Sequence, residues 1–118
     1  MANASTLILP IVLLAGSGIV MNLAWYGHLT VPSLALWAAI ALAWGIALFE
    51  YCLAVPANRI GTQAYSLAEL KTIQEVASLV GFVLVAWVLF GEQPGPSQFI
   101  GFGLIAGGAF MIFKAPLG

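Results

Sequence analysis

Apolar residues run through this chain in four long stretches, separated by short clusters of proline, glycine and polar residues. The pattern predicts helices over about 6–27, 34–55, 66–91 and 97–114. Each is close to the ~20 residues that a hydrocarbon core demands. The third has the sharpest start, because Ser66 followed by Glu69 is a capping-box pair. From there SLAELKTIQEVASLVGFVLVAWVLFG opens as a polar helix and turns apolar without a break before Gly91. Pro10 falls in the opening turns of the first run, where it disturbs a helix least. Pro32 stops the turn that follows. The stretch 55–65, VPANRIGTQAY, reads as a loop, and Ser97 as the N-cap of the last helix.

Polar and small positions inside the runs are few. Gly18, Asn22, Trp25 and Tyr26 share one face of the first helix by their spacing. Small and polar residues so placed favour close approach of another helix. Trp25, Tyr26 and His28 mark the membrane interface, where amphipathic rings settle. Trp37, Trp44 and Tyr51 recur every seventh position in the second helix. That stripe suits a packing or lipid-facing belt, or else an aromatic wall for a ligand. Gly103 and Gly107 form a G-x-x-x-G pair, with Gly101 and Gly108 on a nearby face. In an apolar segment this is a helix-packing signal, within the chain or between copies.

Composition turns these runs into membrane spans. Hydrophobic residues make up 63% of the 118 and charged residues 6%, against about 25% charged in an ordinary soluble domain. So few charges could not cover a soluble surface. The expected fold is an all-α membrane protein, a bundle of four transmembrane helices forming one domain over residues 1–118. Four short helices bury little of one another, so self-association is expected. The net charge of −1 leaves no basic patch for nucleic acid. With no Asp, one His and one Cys, one chain assembles neither a metal-ligand set nor a hydrolytic triad. No cofactor, metal or enzymatic activity is expected. The opening MANAST has no basic n-region, so the first run reads as a retained helix. Arg59, Lys71 and Lys114 fall on one side of a four-helix arrangement, which places both termini in the cytoplasm.

Five of the seven charged residues lie between Glu50 and Glu75. Glu75 falls about one turn inside the apolar boundary near Lys71, roughly 6 Å deep. A carboxylate there must be offset by a partner or by water. Lys71, Glu75 and Ser78 share a face of the third helix, with Gln74 adjacent, and Glu50 is expected to reach Arg59 or Lys71. Two readings stay open. One is an ion-paired knot fixing the hairpin of helices 2 and 3. The other is a polar pathway in which Glu75 or Glu50 binds a cation or carries a proton. Lys71 and Arg59 would then be counter-charges, Gln74 would stand beside them, and Asn22, Trp25 and Trp44 would line the path. Glu69 reads as a cap partner and Glu92 as a loop charge.

The segment LFGEQPGPSQFIGFGLIAGGAFMI (89–112) resembles the last two helices of small multidrug resistance proteins. It also resembles the end of each repeat in the larger drug/metabolite transporter superfamily. NLAWYGHL (22–29), FEY (49–51), VPANRIG (55–61) and SLAELKTIQEV (66–76) resemble a family of small bacterial proteins in that superfamily with no assigned function. The resemblance implies four transmembrane helices in a bacterial inner membrane. It also implies a homodimer packed through the fourth helix at Gly103 and Gly107, and transport of a small molecule. One departure stands out. Small multidrug resistance proteins carry an essential carboxylate in helix 1, and helix 1 here has no acid. Any ion coupling falls to Glu50 and Glu75. The one-sided basic residues also argue against dual orientation. A protein of another class, a non-transporting scaffold or partner subunit, remains the alternative.

Overall fold

The computed structural model describes residues 3–114. They form four helices: α1 (Ala4–Tyr26), α2 (Leu36–Gly61), α3 (Leu67–Phe90) and α4 (Pro96–Lys114). A short 3-10 segment, Gly27–Thr30, follows α1. All four helices are long and apolar enough to cross a membrane, and no strand occurs among the described residues. The chain is an all-helical, multi-pass membrane protein.

The helix ends are fixed by side chains. Asn3 caps α1 by accepting the Thr6 N–H, while the Thr6 hydroxyl accepts the Asn3 N–H. Ser66 and Glu69 make the same reciprocal pair at α3. That satisfies two of the four amide groups a helix start leaves unpaired. Gly91 ends α3 with φ 68°, a left-handed conformation that only a residue without Cβ adopts cheaply.

Two boundaries differ from the sequence pattern. Ser97 is not a cap, because α4 already starts at Pro96. Proline suits the first helical position, where an N–H would have no partner, and the Gln98 side chain accepts the Gly95 N–H instead. The larger difference is at 55–65. α2 does not stop before Pro56 but runs on to Gly61. Pro56 removes one backbone bond, yet Ala57 and Gly61 beyond it are buried against other helices. A Cβ on Gly61 would lie 2.5 Å from a Leu70 methyl and 3.4 Å from the Pro10 ring. This tertiary contact outweighs the local break, and the turn shrinks to residues 62–66.

α1 is the central helix, packed along both α2 and α3, and α4 attaches to the outer side of α3. α1 and α3 cross at Gly18 and Gly81. α1, α2 and α3 converge at the end of the bundle that carries the α2–α3 turn. There Leu14, Ala54, Ala57 and Leu70 form the buried core, with Leu13, Tyr65 and Ile73 packed on it. No described residue of α4 is buried.

Candidate functional site

The buried positions of α2 are Ala39, Glu50, Ala54, Ala57 and Gly61, and the last four follow i, i+4, i+7, i+11 spacing and so form one stripe. The stripe faces α1. Three of its members are Ala or Gly, which lets the two backbones approach, and Glu50 is the exception. Its side chain is 1% exposed. Across the seam stands Ser17 of α1, also buried, whose hydroxyl donates to Glu50 Oε2.

Depth makes this pair unusual. Because α2 continues to Gly61, Glu50 lies about 16 Å from that end and about 21 Å from Leu36 at 1.5 Å per residue. It therefore sits near the middle of its span, not at the charged end of the bundle as a helix stopping at 55 would imply. An ionised carboxylate is expensive at such depth unless it is neutralised.

The expected pairing of Glu50 with Arg59 or Lys71 does not form. The helix repeat explains Arg59: nine residues is two and a half turns, which turns Arg59 to the opposite, exposed face. Lys71 is engaged elsewhere. Its Nζ lies 2.8 Å from Glu75 Oε1, and both side chains are more than half exposed. This is the ion pair found among the described residues. The charges thus divide into a buried acid at mid-depth and an exposed pair on the flank of α3, with Gln74 half-buried beside it. No four-residue knot joins α2 to α3.

Asn22 is buried and its amide is already used. Nδ2 donates to the Gly18 carbonyl at 2.6 Å and across the crossing to the Ser78 carbonyl at 2.8 Å. It fastens α1 to α3 at the level of the two glycines. Trp25 and Trp44 stand on the outside of the single chain, as do Trp37 and Tyr51. The aromatic stripe of α2 therefore faces away from α1. Glu50 and Glu75 line none of the five main clefts. The cleft between α1, α3 and α4, about 490 Å³, has an apolar lining that includes Ile11, Val76, Leu84 and Phe113.

Ser17 escaped the sequence reading. Its signal was slight: a hydroxyl next to Gly18 in an otherwise apolar helix. Tyr65 carries no local signal either, because it sits in the turn and its partner Leu7 is 58 positions away in the chain.

The extent of the chain holding these features matches one known family. Residues 10–113 fit the family described as "Putative member of DMT superfamily (DUF486)". The chain belongs to this family. No curated protein and no solved structure matches it. The matched segment of this DMT-superfamily protein reaches into all four helices and includes Ser17, Glu50, Lys71 and Glu75. Membership together with four membrane-spanning helices makes it a transporter-like membrane protein.

Proposed function

We propose that this protein moves a small cation or a small metabolite across a bacterial inner membrane, with Glu50 as the exchanging group. One observation carries the reading: an acid buried near mid-span, with a serine hydroxyl as its hydrogen-bond donor and no basic side chain in reach. A carboxyl group at such depth is costly to keep there unless something polar offsets its charge. A group that exchanges a proton for a cation is what a coupled carrier needs. Superfamily membership supports transport as the activity in which that exchange is used.

The exposed Lys71–Glu75 pair supports a narrower role than sequence spacing suggested. Glu75 has its counter-charge and stands on the flank of α3, so transport is assigned to Glu50 and not to Glu75. Arg59, Lys71 and Lys114 lie at α2's end, α3's start and α4's end. That is one side of the membrane, which supports cytoplasmic termini. The working unit is a homodimer packed through α4, as Gly101, Gly103, Gly107 and Gly108 have open space around them.

The test is flux and cation binding by purified protein in liposomes, wild type against Glu50→Gln and Glu75→Gln. Gln at 50 keeps an acceptor for Ser17 but cannot exchange a proton. Glu50→Gln abolishes pH-dependent flux or binding, whereas Glu75→Gln retains it. Wild-type activity in Glu50→Gln overturns the reading. A second reading is favoured by the absence of Glu50 from the clefts: a non-transporting scaffold in which Ser17–Glu50 is an interhelical tie. It predicts no flux in any variant and a lowered melting temperature in Glu50→Leu.

A further inference from the structure

The seam between α1 and α2 differs on the two sides of Glu50. Toward the α2–α3 turn it is closed. Ala54 and Ala57 lie one and two turns beyond Glu50, about 6 and 10 Å along the axis. Leu14 of α1 meets them one turn from Ser17, and Leu70 of α3 completes the cluster. Leu14 and Ala57 are fully buried. Toward the other end the same seam is looser around residues 42–49, although Ala39 beyond them is buried. A cleft of about 550 Å³ runs between Val20 and Leu23 of α1 and Leu42, Gly45, Ile46 and Phe49 of α2. Its last lining residue is next to Glu50 in sequence.

Tyr65 lies at the closed end. It belongs to the turn after α2, its ring packs on the core cluster, and its hydroxyl donates to the Leu7 carbonyl of α1 at 2.8 Å. The Tyr65 ring also meets Phe113 of α4 edge-on, with centroids 6.4 Å apart. One side chain thus ties the α2–α3 turn to α1 and touches α4. The other partner of α1 is held differently. Gly18, Gly81 and Asn22 lock α1 to α3 with a side-chain to backbone bond at their crossing, whereas the side-chain bond between α1 and α2 is the one from Ser17 to Glu50 itself.

We propose that Tyr65 is the latch of a gate. The Leu14–Ala54–Ala57–Leu70 cluster is the plug that seals Glu50 from the α2–α3 turn side, and release of the Tyr65–Leu7 bond lets α2 tilt away from the α1–α3 pair and admits water. The structure is the state closed on that side. The gate gives access to the group proposed above as the exchanging acid, and so rests on that reading for its purpose, though not for its test.

The test uses the full chain in liposomes with Cys52→Ala and Ala54→Cys, so that the lone thiol sits in the plug. A membrane-impermeant methanethiosulfonate reagent is applied from each side, with Tyr65 intact or replaced by Phe. Phe keeps the ring and deletes the bond. A hydrogen bond of ordinary strength corresponds to roughly three- to tenfold in the open population. Modification from the α2–α3 turn side should therefore rise about that much in Tyr65→Phe and stay unchanged from the other side. Equal rates with and without the hydroxyl overturn the latch. Leu70→Ala, which thins the plug and leaves the hydroxyl, should raise the same rate; no rise overturns the plug and also decides the matter should Tyr65→Phe not fold. Because the readout is labelling, a faster rate alongside unchanged flux in Glu50→Gln keeps the gate and removes the transport role. Unchanged labelling with flux lost in Glu50→Gln does the reverse.

Discussion

Gly18 of α1 and Gly81 of α3 cross so closely that neither has room for a methyl group. A Cβ on Gly18 would lie 2.5 Å from the Ala77 carbonyl oxygen, and one on Gly81 would lie 2.8 Å from the Gly18 carbonyl carbon. Both obstacles are backbone, which cannot swing aside as a side chain can. Gly81→Ala should therefore force α1 and α3 apart and cost about 1–3 kcal/mol, the usual range for overpacking. Thermal unfolding in detergent measures it. A melting temperature equal to wild type would show that the helices do not approach this closely.

Asn22 strengthens the same crossing by a different means. Its amide spans from the Gly18 carbonyl to the Ser78 carbonyl, and such interhelical bonds in membranes average about 0.6 kcal/mol, reaching about 1.7. Asn22→Leu should lower stability by that order. Flux should change only as stability does, since the amide is occupied by backbone. Full loss of flux at wild-type stability would instead make Asn22 a pathway residue.

The two glutamates should part in a stability scan. Glu75 forms an exposed i, i+4 pair with Lys71 in the less favourable order, and such pairs contribute below about 1 kcal/mol. Glu75→Gln should melt within that margin of wild type. Glu50→Leu leaves the buried Ser17 hydroxyl without its acceptor, a loss of about 1–3 kcal/mol. Ser17→Ala with Glu50→Leu should recover part of it, because the orphaned donor is then gone. Equal melting of the two single variants would contradict the burial of Glu50.

What could be read from the sequence follows the range of the forces involved. The four helices, the Ser66–Glu69 cap and the glycine end at Gly91 depend on residues within one turn, and all were legible. The face of α1 carrying Gly18, Asn22 and Tyr26 was legible as a packing face from periodicity, but Trp25, which the same spacing puts on it, stands outward. The reach of α2 through Pro56 was not. It depends on Gly61 meeting Leu70 and Pro10, contacts that no local propensity encodes. The same error placed Glu50 too near the charged end and made Arg59 look like its partner. Ser17, 33 positions from Glu50, could be found only once the two helices were laid side by side.

α4 gives the last prediction. Its glycines at 101, 103, 107 and 108 have nothing within 4 Å of an added Cβ, in contrast to Gly18, Gly61 and Gly81, where a Cβ would collide. Within the chain, then, the α4 glycines have no steric reason to be small. A second α4 laid against them would supply one, since G-x-x-x-G lets two membrane helices approach closely. Gly103→Leu with Gly107→Leu should not lower the melting of the isolated chain, because a Cβ at either position meets nothing and Gly is the poorer helix former by about 0.5–1 kcal/mol per residue. The same change should convert dimer to monomer. Fluorescence energy transfer between labelled copies in liposomes, diluted with lipid, follows that equilibrium. A dimer that survives both leucines places the contact on another face and leaves the glycines of α4 without a role in assembly.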